Sequence, residues 1–118
     1  MQACDLRNFL APCLLLLLAE RSDHGYDLVT RLRPLVDVDG DAGAVYRTLR
    51  HLERDGLVES TWLPANGAPA RRSYQLTDEG RARLRECVVD IRQLRDTLDR
   101  FLFRQRSLPE LSLRGRRS

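Results

Sequence analysis

The chain has 118 residues, 42% of them hydrophobic and 31% charged, with a formal net charge of +3 at neutral pH. That length suits one domain rather than two, and the balance is that of a globular chain rather than a disordered one. All 20 basic residues are Arg, a bias that genome composition alone would produce but that also supplies the bidentate contacts lysine cannot make. Cys4, Cys13 and Cys87 are odd in number and lack C-x-x-C spacing. That argues against a disulfide framework or a zinc knuckle and points to a reduced, cytoplasmic setting. No glycine-rich phosphate loop, no paired nucleophile and base, and no metal constellation stands out, so neither an enzyme nor a cofactor is expected.

Phe9 to Ala19 is almost continuously apolar. It is too short to span a bilayer. Asp5 and the missing A-x-A site argue against a signal peptide. The expectation is a buried helix, Leu10–Glu20, with Asn8 as N-cap candidate and Pro12 in its early turn, where proline is tolerated. A helix apolar on all sides needs cover on all sides. One small domain rarely supplies that, which points to a partner subunit. After the polar break Arg21–His24, a second helix is expected over Gly25–Leu35, with Tyr26, Leu28, Val29, Leu32 and Leu35 on its apolar side. Pro34 limits its extent. An acidic turn, Asp37–Asp41, leads to a third helix, Ala42–Asp55, capped by Asp41 and stopped at Gly56.

Val58–Leu63 alternates and reads as a strand, Pro64–Pro69 as a turn around Asn66-Gly67, and Arg72–Leu76 as the returning strand. Thr77 caps a last helix that runs to about Phe103, with Asp78 and Glu79 well placed against its dipole. The tail, Ser107–Ser118, is expected to be disordered. Three helices, a hairpin and a long helix are the order of a winged helix-turn-helix. The predicted fold is mainly α with a small β-hairpin: a reader domain over residues 1–76, a long C-terminal dimerisation helix over 77–106, and a tail over 107–118.

Val45, Leu49 and Leu52 form one stripe of the third helix; Arg47, Arg50, His51 and Arg54 form another. The first stripe belongs in a core. The second is a row of donors suited to phosphate oxygens and guanine edges, unless it merely pairs with Glu53, Asp55 or other surface acids. Gly43 and Ala44 are small enough for close approach of the helix start to DNA. Arg71 and Arg72 on the hairpin make a second basic element, the wing, and shift the balance toward a DNA surface. His51 and His24 lack the companions that a metal site needs.

Three stretches also resemble the PadR family of transcriptional regulators: His24-Gly25-Tyr26, then Val45-Tyr46 through Leu49, Leu52 and Gly56-Leu57-Val58, and Tyr74-x-Leu76-Thr77-x-x-Gly80. The resemblance covers roughly Leu10 to Leu84. It implies a homodimeric winged-helix regulator, usually a repressor, on a palindromic operator and released by a small effector. It also implies that Tyr46 lies near the DNA, that the wing contacts the backbone or minor groove, and that the chain is a short member with one C-terminal helix. Gly43-Ala44 departs from the hydrogen-bonding residues many relatives carry there.

Leu84, Cys87, Ile91, Leu94, Leu98 and Phe101 alternate spacings of three and four, a seam that wants a partner helix unless it packs within its own subunit. Dimerisation through it would set two reader helices about one DNA turn apart. Cys87 there reads as a small buried hydrophobe. Trp62 is expected to pack beneath the wing. The expected partners are therefore double-stranded DNA, a second copy of the chain and a small effector, with no membrane. The competing reading is a winged-helix module for protein partners, which would show exposed apolar anchors where the arginines stand.

Overall fold

A computed structural model describes residues 9–36, 41–65 and 68–109. The Asn8 cap, most of the acidic turn, the Asn66-Gly67 turn and the tail past Pro109 lie outside the described residues. Helix α1 (Leu10–Glu20) is the centre of the core, with Pro12, Cys13, Leu14, Leu15, Leu17 and Leu18 all buried. Each fully buried leucine contributes about 1.5–3 kcal/mol. Only Leu16 of the leucine run is left 39% exposed. The expected need for a partner subunit over this helix is therefore corrected. The chain's own helices, sheet and start of the last helix surround it almost completely.

Helix α2 (Gly25–Leu32) adds Leu28 and Leu32 to that core, but ends three residues before the expected Leu35. Pro34 cannot donate to a continuing helix and disfavours helical backbone before it. The chain closes instead in a turn, with the Leu35 and Val36 N–H groups both donating to the Leu32 carbonyl at 2.8 and 2.9 Å. Tyr26 and Leu35, expected on the apolar side, are 74% and 44% exposed.

Helix α3 (Ala42–Arg54) starts where the Asp41 carboxylate accepts the Ala44 N–H at 3.1 Å. It ends in a paired cap. The Leu57 N–H reaches the Leu52 carbonyl at 2.9 Å and the Gly56 N–H reaches that of Glu53 at 3.0 Å. Gly56 takes φ 79°, the left-handed backbone this motif demands and glycine accepts.

The strands form one antiparallel sheet in the order β1-β3-β2: β1 (Asp23–His24), β2 (Val58–Ala65) and β3 (Ala68–Leu76). The expected hairpin thus carries a third, two-residue strand, Asp23 pairing with Tyr74 and His24 with Ser73. Both hairpin strands run further toward the turn than their alternation suggested. Their register shifts between Leu63 and Ala65, where Pro64 has no N–H to give the ladder.

Arg31 ties these pieces together. Its guanidinium meets the Asp23 carboxylate at 2.9 Å, the Leu17 carbonyl at 2.9 Å and Glu20 at 3.1 Å. Burial would raise the Asp23 pKa, yet the His24 N–H and the Arg31 charge together hold it below the ordinary value.

Helix α4 (Asp78–Arg106) has 29 residues, roughly 43 Å at 1.5 Å per residue. It accounts for the overall 64 × 30 × 20 Å shape. The Thr77 hydroxyl accepts the Gly80 N–H at 3.0 Å and donates to the Gly56 carbonyl at 2.7 Å. Gly80 lies so close to the Leu57 carbonyl that any Cβ would overlap it.

Candidate nucleic-acid interface

Val45, Leu49 and Leu52 are buried, so helix α3 is fixed by its inner face. Arg47, Arg50, His51 and Arg54 are left exposed on the other side, and Gly43 is exposed in the first turn. The alternative that this row is used up by neighbouring acids finds little support. Among the described residues its one ion pair is Arg47 with Asp41 at 3.7 Å. Both side chains are well exposed, so water screens that pair heavily. Glu53 instead accepts the Ser60 hydroxyl at 2.8 Å.

Tyr46 is half-buried. Its ring lies across Gly25, where an added Cβ would sit 2.5 Å from Tyr46 Cε1. The glycine of His24-Gly25-Tyr26 and the tyrosine of Val45-Tyr46 therefore form a single contact between α2 and helix α3.

One face of the hairpin carries the pairs Val58 with Leu76, Ser60 with Tyr74 and Trp62 with Arg72. Val58 and Tyr74 enter the core. At the outer end of the same face, Trp62 is 62% exposed, and the Arg72 guanidinium lies 5.2 Å from its ring centroid. The expectation that Trp62 packs beneath the wing is therefore corrected: the ribbon extends past the core, and the indole stays largely exposed beside Arg72. Arg71 stands across from Leu63 and is exposed.

Between wing and helix α3 lies an open cleft of about 420 Å³. Tyr46 and Arg50 line it from α3; Trp62, Arg71, Arg72 and Tyr74 line it from the wing. His24, Gly25 and Tyr26 complete it, and none of the nine lining residues is acidic. His24 Nδ1 is 3.3 Å from the Arg72 carbonyl oxygen, fastening the wing base to β1. Burial raises the Tyr74 pKa despite the opposing Arg72 charge, which keeps its phenol a neutral hydroxyl.

Of the residues singled out in the sequence, the cleft gathers Tyr46, Arg50, Arg71 and Arg72. Gly43 and Arg47 sit nearer the helix start, and His51 lies outside the cleft lining. His24, Tyr26, Trp62 and Tyr74 were missed as site residues. Strand alternation placing Trp62 opposite Arg72 was the available signal for one of them.

The stripe of helix α4 divides. Cys87 is 2% exposed, and Leu84 packs against the core. Ile91 and Leu94 are half-buried, whereas Leu98 and Phe101 are 46% and 68% exposed. The first turns thus serve their own subunit, and the uncovered apolar surface grows toward the helix end, where Leu102 and Phe103 join it. Burial pushes the Cys13 thiol up to about 11, far from a reactive thiolate. Among the described residues there is no metal-binding cluster, and no helix is long and apolar enough to cross a membrane.

Comparison with known proteins agrees with this architecture. The profile of the transcriptional regulator PadR-like family matches residues 14–86. A Mycobacterium tuberculosis protein named as a transcriptional regulator, Rv1176c, is 30% identical over 83 residues, which cover 69% of this chain and 44% of that protein. The chain thus spans under half the length of that relative. A PadR-like transcriptional regulator from Bacillus cereus superposes with a TM-score of 0.72 at 26% identity, over 82% of this chain and 94% of its own. A PadR family regulator from Clostridium difficile superposes at 0.71 with 22% identity, over 80% and 98%, a likeness of fold.

Proposed function

Because the chain belongs to the PadR-like family of transcriptional regulators, a family of regulators rather than enzymes, we propose that it is a cytoplasmic, homodimeric DNA-binding repressor. The observation that carries this reading is the convergence of Arg50 from the recognition helix with Arg71 and Arg72 from the wing on one cleft without acidic lining. Helix α3 enters a major groove; Gly43 lets its start approach closely, while Tyr46, Arg47, Arg50 and His51 face bases and phosphates. Arg71 and Arg72 reach the flanking backbone. Residues 77–106 join two copies through Leu84, Cys87, Ile91, Leu94, Leu98 and Phe101. The two readers then face a palindromic operator, from which a small effector releases them.

The test is a titration of the full chain on DNA upstream of its own gene, with random duplex as competitor and salt varied. A dimer-sized complex that outlasts the competitor supports the reading. The absence of binding to any duplex at low salt, from folded protein, overturns it. A second reading, a wing that docks a protein, draws on the exposure of Trp62 and Leu63, and that same absence of DNA binding would favour it.

A further inference from the structure

Resting on the DNA-binding reading, we propose that the cleft between wing and recognition helix seats a phosphodiester strand, with Trp62 packed against a deoxyribose and the Tyr26 hydroxyl donating to a phosphate. Neither residue belongs to the basic row that suggests DNA binding; both follow from the geometry of the cleft. Trp62 and Tyr26 are the two most exposed aromatic side chains lining it, at 62% and 74%. An indole left that bare on a ribbon forfeits the burial that aromatic side chains usually gain. What covers it is chosen for charge rather than for packing. Arg72 is its cross-strand partner and holds a guanidinium 5.2 Å from the ring. That stacking fixes the arginine in advance, so less side-chain freedom is lost when it meets an anion.

The chemistry of the lining is one-sided. Arg50, Arg71 and Arg72 bring positive charge, Tyr26 and Trp62 bring amphipathic aromatic surface, and no carboxylate lines the site. A sugar-phosphate chain offers what this set recognises: an anion for the guanidinia and the phenol, and an apolar sugar edge for the indole. A free protein partner would need an acidic and apolar segment in the same narrow notch. With α3 in a major groove and the wing beyond the adjoining backbone, as proposed above, a strand of duplex DNA would run through this cleft. Contacts of this type position a duplex without reading its sequence.

Trp62 is the one tryptophan in the chain, so its fluorescence reports this cleft alone. The full-length protein is titrated with a fluorescein-labelled duplex from upstream of its gene and with a random duplex. Anisotropy follows binding, and indole emission is read with unlabelled copies of the same duplexes. The expected result is a change in Trp62 emission that saturates together with anisotropy on both duplexes. Tyr26→Phe should weaken both duplexes alike, about 10-fold for a lost hydrogen bond to a charged group, and Trp62→Leu should also weaken both alike, through lost packing on the sugar. The salt slope should stay the same, because neither change removes a cation. Tyr26→Phe alters an exposed ring by one oxygen and keeps the test valid if Trp62→Leu fails to fold. Emission indifferent to a duplex that anisotropy shows to be bound would overturn the seat while leaving the DNA reading intact. Wild-type affinity of Tyr26→Phe on both duplexes would also overturn it. Failure of the wild type to bind any duplex at low salt would overturn both.

Discussion

Gly80→Ala sets two effects of opposite sign against each other. Gly80 lies in the first turn of helix α4, where replacing glycine with alanine normally stabilises a helix by about 1 kcal/mol. Here the new Cβ would overlap the Leu57 carbonyl and stand 2.5 Å from Leu76 Cδ1. Leu57 is main chain held on both sides: its N–H donates to Leu52, and its carbonyl accepts the Thr77 N–H at 3.1 Å. It cannot rotate away like the end of a side chain, so the helix start must move. Such overpacking costs about 1–3 kcal/mol. Displacing the Thr77 hydroxyl from the Gly80 N–H adds about 1 kcal/mol for the lost cap. Net of the propensity gain, the variant should lose roughly 1–3 kcal/mol, or about 4 °C of Tm per kcal/mol for a domain of this size. The assay is urea and thermal unfolding by circular dichroism at one fixed chain concentration, since the proposed dimer would make stability concentration-dependent. A variant that melts at or above the wild-type temperature would refute the close approach and leave helix propensity as the governing effect.

Gly25→Ala should lower stability by about 1–2 kcal/mol through the clash with Tyr46 and should weaken DNA binding by displacing Tyr46; unaltered affinity in gel shifts would mean Tyr46 can move without consequence. Arg50→Ala should weaken operator binding by about 1–3 kcal/mol if it reads a base, whereas a loss of equal size on random duplex would restrict it to phosphate. Leu94→Glu places a charge in the half-buried middle of the α4 stripe and should convert a dimer to monomer in light scattering; a persistent dimer would put the interface elsewhere. Asp23 has a depressed pKa, so its contribution is complete above the ordinary value of 3.8 and is lost as pH falls through the lower folded value. Asp23→Asn should therefore flatten the stability profile below about pH 4, and an unchanged acid limb in unfolding titrations would deny Asp23 that role.

Caps were legible because they are local. As caps, Asp41 and Thr77 each take a backbone N–H three residues on and Gly56 closes its own helix, and each stands where its chemistry required. The α3 stripes were legible for the same reason, since helical spacing alone separates Val45, Leu49 and Leu52 from the arginines. What escaped depends on distance along the chain. Strand β1 has two residues, too few to show alternation, and exists because His24 and Asp23 find Ser73 and Tyr74 some fifty positions on. The cover over helix α1 could not be counted before knowing that α4 folds back on it. Trp62 was expected beneath the wing because alternation assigns a face to a strand and says nothing of where the core beneath that face ends. Tyr26 sat on the apolar side of a helix whose N-terminal end proved to be open. The cleft residues were thus the least legible part of the site, being assembled from β1, α2, α3 and both wing strands.

The junction at Leu57 bears on how a dimer would address DNA. Gly56 and Leu57 end helix α3 and begin the wing; Thr77 and Gly80 end the wing and begin helix α4. The Thr77 hydroxyl on the Gly56 carbonyl and the Thr77 N–H on the Leu57 carbonyl join these two corners directly. Gly80 allows the close approach of the two corners, since a Cβ there would overlap the Leu57 carbonyl. There is no linker here in which a bend could be absorbed, so the direction of α4 and the direction of α3 are one structural quantity. In a dimer paired along the exposed outer half of α4, the spacing and tilt of the two readers follow from the helix crossing itself. A rotation of a few degrees in that crossing would then shift the far ends of the readers, because the junction hydrogen bonds carry the turn of α4 into α3.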